Sequence, residues 1–353
     1  MKKYAYYLPQ FHEIPENDEW WGKGFTEWVN VKKATPLYKG HQQPKIPLKD
    51  NYYTLDNVET LQWQAKLASQ YCVDGMIFYH YYFCGKKLLE KPAELLLDNK
   101  AIDMKFFFCW ANHSWFRSWE GSKELLIQQK YGNVEDWELH FQYLLPFFKD
   151  NRYEKKDNKP LFLIYKSEFE EFQSIFSYFD KRCKEEGFAG IYLFISKTKY
   201  EDITQLDALR KLPYECTYCV REPDACLNSY RKSLLHKIKN RLGNYSRRIG
   251  TKYMETYVGD NLYEIMIKQN INNNIVRGLF FSWDNTPRHG YRGFVVNDIT
   301  KEQFFKYMDS IKDSEYVFIN AWNEWCEGMM LEPTEENGYK YLEWIKEWSE
   351  KNE

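Results

Sequence analysis

Short apolar runs rich in β-branched and aromatic residues recur along this chain, separated by longer stretches with apolar residues at helical spacing. Eight runs are legible: Lys3–Leu8, Gly75–Tyr82, Lys105–Ala111, Pro160–Lys166, Ile191–Ser196, Tyr214–Tyr218, Gly278–Trp283 and Tyr316–Ala321. Several are continuously apolar rather than alternating, the pattern of strands covered on both faces. Between them Leu61, Ala65, Leu67, Ala68 and Tyr71 fall near one helical face, with Asp56 or Asn57 placed to cap it. Glu135–Phe148, Glu168–Glu186, Leu262–Ile271, Lys301–Ile311 and Glu336–Ser349 read as helices in the same way. Strand-then-helix repetition predicts an α/β fold with a parallel sheet. Eight rounds of it predict closure into a single (β/α)8 barrel of the TIM type over residues 1–353, with long βα loops. An open doubly wound sheet is the alternative, and the absence of a Gly-rich phosphate loop after the first strand weighs against it. The sixth strand has the weakest pattern. The segment Asn228–Lys252, with eight Lys/Arg and no Asp or Glu, reads as a basic insertion in the sixth unit.

Composition narrows the function classes. The 353 residues suffice for a large core without disulfides or metals. A net charge of −2 provides no global field for nucleic acid or a membrane. Met1-Lys2-Lys3-Tyr4 runs straight into the first strand, and Pro9 and charged residues interrupt it too early for a signal-peptide core. No window reaches membrane-spanning length, so a cytoplasmic protein is expected. The eight cysteines are scattered, as for buried thiols in a reducing compartment. Cys216 and Cys219 followed by Cys226 resemble part of a zinc site, but no second CxxC or histidine pair completes it. Neither a metal nor a cofactor is expected.

The candidate chemistry lies where strands end, the functional face of such a barrel. Gln10, His12, Trp20, Trp21, Glu27 and Trp28 follow the first strand, and His80 and Tyr81 end the second. Trp110, Asn112, Trp115, Arg117 and Trp119 cluster about the third, and Trp283, Asp284 and Arg288 about the seventh. The eighth ends in Asn320-Ala-Trp-Asn323-Glu324-Trp325-Cys326-Glu327-Gly328. Nine of the 13 tryptophans fall at these ends. Tryptophan faces suit the C–H faces of sugar rings, and nearby carboxylates, amides and arginine suit their hydroxyls. His12, Glu27, Trp28, His80, Tyr81, Trp110, Asn112, Trp115, Trp119, Trp283, Asp284, Arg288, Asn323 and Trp325 are therefore the candidate substrate-binding residues. For Asp284 and Arg288 a mutual ion pair is an equal reading, and for His80 a satisfied core histidine.

Glu324 and Glu327 are the candidate catalytic pair, because glycoside cleavage uses one carboxyl to protonate the departing oxygen and a second to act across from it. Along a regular strand, residues three apart point to opposite faces. They converge only if a helical turn starts directly after the strand, which Gly328 permits.

The phrases YYLPQFHEIPENDEWWGKGFTEW, FCWANHSWFRSWEG, FSWDNTPRHG and NAWNEWCEGMMLEP, with the segment Phe78–Phe83, resemble the WbsX-type family, from about Tyr4 to Glu332. Members are labelled glycosyltransferases of lipopolysaccharide or polysaccharide biosynthesis. That group is in turn similar to glycoside hydrolase family 99, the endo-α-mannosidase-like (β/α)8 barrels, through the motif met here by Asn323, Glu324, Trp325, Cys326, Glu327 and Gly328. The resemblance implies Glu324 as base on the sugar's own 2-hydroxyl and Glu327 as acid on the leaving oxygen, through an anhydrosugar and without a metal. Cys326 stands where the hydrolases commonly have histidine, and the early loops differ, so mannose specificity does not carry over.

These features lead to an enzyme cleaving a glycosidic bond in an oligosaccharide or polysaccharide, with Glu327 held protonated by aromatic walls and the like charge of Glu324. A glycosyltransferase is the first alternative. No DxD is present, but the basic segment offers a grip for phosphates or an anionic lipid-linked glycan. A non-catalytic glycan-binding barrel is the second.

Overall fold

The computed structural model describes residues 1–117, 124–203, 209–233, 236–238, 241, 243 and 252–352. Trp119 and much of the basic segment lie outside the described residues. Eight parallel strands form the main sheet: β1 (Lys2–Tyr7), β2 (Gly75–Phe83), β3 (Lys105–Trp110), β4 (Lys159–Ile164), β5 (Tyr192–Lys197), β6 (Glu215–Val220), β7 (Arg277–Phe280) and β8 (Tyr316–Asn320). Their order is β6-β5-β4-β3-β2-β1-β8-β7. The seam between β6 and β7 closes through a parallel bridge at Cys219 and Val276. There Val220 N–H donates to the Val276 carbonyl at 2.8 Å, and Val276 N–H to that of Tyr218 at 3.0 Å. The sheet is a barrel, not an open doubly wound sheet.

The helices in chain order are α1 (Pro15–Trp21), α2 (Glu27–Lys33), α3 (Val58–Gln70), α4 (Lys91–Asp98), α5 (Val134–Phe148), α6 (Phe172–Glu185), α7 (Glu222–Arg231), α8 (Gly259–Ile267), α9 (Thr286–His289), α10 (Lys301–Ser310) and α11 (Lys340–Asn352), of which α2 and α9 pack on the turn Trp325–Glu327 after β8. Of the two candidate caps for α3, Asn57 takes the role, its side chain accepting from Thr60 N–H at 2.9 Å. The predicted seventh strand runs too far. β7 stops at Phe280, and Trp283–Asp284 pairs antiparallel with Phe294–Val296 in a small separate sheet.

Aromatic rings fill the barrel interior. Tyr4 of β1, Phe107 of β3, Phe194 of β5 and Phe318 of β8 pack across the axis with centroids 5.1–5.9 Å apart. Toward the mouth, Tyr6 stacks on Tyr79 at 5.6 Å. Much of the high aromatic content thus serves the core. Gly75 lets Tyr4 lie against the base of the barrel, because a Cβ there would sit 2.4 Å from the Lys105 carbonyl oxygen and 2.5 Å from the Tyr4 ring. Backbone cannot yield as a side chain does, so Gly75→Ala is expected to destabilise by about 1–3 kcal/mol through overpacking, measured as a lowered urea midpoint. An unchanged midpoint would mean that the strands shift at no cost.

Candidate active site

The chain after β8 turns sharply. Asn323–Glu324 pairs antiparallel with Met329–Met330, and one 3₁₀ turn, Trp325–Glu327, connects them. Gly328 closes the turn at φ +61°, where a Cβ would also crowd Asp284 at 3.0 Å. This turn brings Glu324 and Glu327 to one side of the chain.

Both line a cavity of about 350 Å³ at the barrel mouth, walled by Tyr79, Tyr81, Trp115, Phe116, Trp21 and Tyr165, with Gln10, His113, Ser114 and Arg288 supplying polar groups. Arg288 on α9 organises the acids. Its Nη1 donates to Glu327 Oε1 at 2.5 Å and its Nη2 to Glu27 Oε1 at 2.9 Å. The same Nη2 is 3.6 Å from Glu324 Oε2. Three carboxylates therefore share one guanidinium.

The Glu324 side chain is only 13% exposed, against 29% for Glu327. Burial, then the like charge of Glu327, raise the Glu324 carboxyl to about 8 despite the opposing pull of Arg288. His113 is driven down to about 4 by burial and by the nearby Lys166 and Arg221, so its ring is neutral at neutral pH.

Of the candidate binding residues, Tyr81, Trp115 and Arg288 line this cavity with the two glutamates. Most of the others belong to the frame around it. Glu27 is fully buried behind Arg288. Trp28 donates its indole N–H to the Tyr53 carbonyl at 2.7 Å, and Trp110 to that of Tyr82 at 3.2 Å. His80 lies against His140 at 2.8 Å between ring nitrogens, the core reading rather than the ligand one. His12 is buried, with burial holding it down to about 4. Asn112 is tied up by both main-chain groups of Lys166. Asn323 knits the site turn to β1, accepting from Leu8 N–H at 2.7 Å and donating to its carbonyl at 3.0 Å. Trp325 donates to Glu332 at 2.7 Å. Trp283 packs on Phe294, with centroids 4.7 Å apart.

Asp284 does not pair with Arg288. It accepts from His41 at 2.8 Å and Gln43 at 2.7 Å, while its other oxygen takes the Thr286 amide and hydroxyl and so anchors the start of α9. The tryptophan wall inferred from nine positions reduces, among the described lining residues, to Trp21 and Trp115. The rest of the wall is tyrosine. Tyr79 sits two residues before Tyr81 on β2, a spacing that puts both on one face. Tyr165, just past β4, had the strand-end signal but no flanking motif.

A family model, Glycosyltransferase WbsX, matches residues 3–345. The chain belongs to the WbsX family. Two WxcX proteins of Xanthomonas campestris pv. campestris, strains ATCC 33913 and B100, each described as uncharacterized, are 30% identical to this WbsX chain over 96% of it. The chain spans about half, 48%, of those relatives' length. Among solved structures, the GH99 endo-α-mannosidase of Bacteroides thetaiotaomicron aligns over 99% of the WbsX chain and 97% of its own, with a TM-score of 0.59 and 12% identity. A glycoside hydrolase-like protein aligns over 98% and 93%, with a TM-score of 0.58 and 12% identity. These structures share the barrel fold with the WbsX chain. The family model is named for glycosyl transfer, and the likeness to these solved structures concerns the fold. No helix among the described residues is long and apolar enough to cross a membrane.

Proposed function

We propose that the chain cleaves a glycosidic bond in an oligosaccharide or polysaccharide, with Glu324 and Glu327 as the working pair. The observation that carries this reading is the pair's position: two carboxyls on one guanidinium, opening into an aromatic-walled cavity. One carboxyl of such a pair must hold a proton while the other is ionised. In the free protein burial and the like charge of Glu327 favour the protonated form of Glu324, while Glu327 is ion-paired with Arg288. Under the roles implied by the family 99 resemblance, Glu327 carries the proton of the pair when the glycan is bound. Glu324 then acts as base on the 2-hydroxyl, and a carboxylate whose acid form persists to about 8 is a stronger base than an ordinary one. The eight free cysteines support a reducing, cytoplasmic setting, and the chain is read as one barrel unit.

Screening a panel of polysaccharides for cleavage products tests the activity; no product from any would count against it. In either assignment of roles the pair needs its proton. The rate should therefore fall as pH rises, with an alkaline limb in kcat/KM centred near 8. A profile flat to pH 10 would remove Glu324 as the proton carrier.

Glycosyl transfer is the second reading, favoured by the family's name. Among the described lining residues Arg288 is the one with a permanent positive charge, and it is already bonded to carboxylates. Such a cavity disfavours the diphosphate of a nucleotide-sugar donor. Calorimetric titration with nucleotide-sugars separates the two, since binding heat at this site would favour transfer.

A further inference from the structure

Glu27 is a poor choice for stability alone. It is the first residue of α2, fully buried, and its Oε2 has no hydrogen-bond partner among the described residues. A buried carboxylate left half satisfied costs several kcal/mol relative to an apolar side chain of its size. Its Oε1 accepts from Arg288, the cation that also touches both glutamates of the working pair.

Charge counting gives that bond a purpose. A guanidinium facing only Glu324 and Glu327 would favour the ionised form of each and leave neither able to donate a proton. We propose that Glu27 is a positioning residue that offsets the charge of Arg288, so that Arg288 orients the Glu324–Glu327 pair without stripping it of its shared proton. The other groups facing Glu324 do not do this work. Arg221, beyond β6, is bonded to Asp224 at 2.8 Å and lies over the Tyr165 ring at 4.2 Å. Tyr79 and Tyr81 from β2 and the Cys326 thiol of the site turn stay uncharged, because burial pushes all three up. Cys326 is also occupied, donating to the Glu27 carbonyl at 3.4 Å. The proposal rests on the pair being the working centre, but its test uses no glycan.

The experiment is a pH titration by NMR of protein carrying ¹³C at the glutamate side-chain carboxyls, with the Glu324 signal assigned by its loss in Glu324→Gln. Glu27→Gln leaves Arg288 uncompensated and should lower the Glu324 midpoint by about one unit or more. Arg288→Gln leaves Glu27 uncompensated and should raise it. The double variant removes both charges and should bring the midpoint down from that of Arg288→Gln toward that of the parent protein. A purely structural role predicts no such ordering by sign. An unmoved or raised midpoint in Glu27→Gln overturns the proposal. If that variant does not fold, a double variant titrating no lower than Arg288→Gln overturns it equally. Failure to find a cleaved glycan would sink the proposed function and leave this result standing.

Discussion

Glu324→Gln and Glu327→Gln are each expected to cut turnover of a cleaved glycan by about 10²–10⁴-fold, with glycan binding still measurable by calorimetry. Glutamine keeps the shape and one acceptor oxygen but can neither release nor take up the proton. At Glu324 the change leaves a neutral group where burial and the like charge of Glu327 already favour a neutral carboxyl, so the fold should be undisturbed. At Glu327 it removes a partner of Arg288, and the guanidinium keeps Glu27. The two losses should not add, because each disables the same proton transfer. Turnover within about threefold of the parent in both variants would end the assignment.

Arg277→Leu should be the most destabilising change outside the site, at about 3–5 kcal/mol by urea denaturation. Arg277 begins β7 beside the seam and bonds through Nε to Glu222, which is fully buried at the start of α7. Its Nη2 donates to the Met266 carbonyl at 3.0 Å. Tyr200 also donates to Glu222, at 2.5 Å, and Tyr307 fixes Gly278 next door by donating to its carbonyl at 2.7 Å. Without the arginine, a carboxylate remains in the core with no ion-pair partner among the described residues. Adding Glu222→Gln should recover much of the loss, since breaking one partner of a buried pair costs more than replacing both. A loss below about 1 kcal/mol would show that water reaches Glu222.

The barrel was legible because its strands are buried on both faces, which makes continuous apolar runs such as Met76–Phe78 stand out. β7 was overextended because Trp283 continues the apolar pattern after the chain has left the barrel; the anchoring of Asp284 by His41 and Gln43 depends on a loop some 240 residues away. Glu324 and Glu327 could be singled out, since only acids flanked by a turn-permitting Gly328 can converge after a strand. Which of them is more deeply buried depends on packing that no local pattern encodes. Tryptophan was over-read for the same reason. At a strand end its ring can face the mouth, as in Trp115, or brace the frame, as in Trp28 and Trp325. Glu332 went unnoticed although it accepts from Tyr53, Gln64 and Trp325 together, each at 2.7 Å, because it carries no motif beyond its buried neighbours.

The bonds between Asn323 and Leu8 join residues 315 positions apart. During synthesis the first strand must therefore wait, unpaired on that edge, until β8 has emerged from the ribosome. The acids that would do the chemistry arrive with the same late segment that completes the ring. A chain stopped short of the eighth strand would lack both proposed acids and should cleave no glycan.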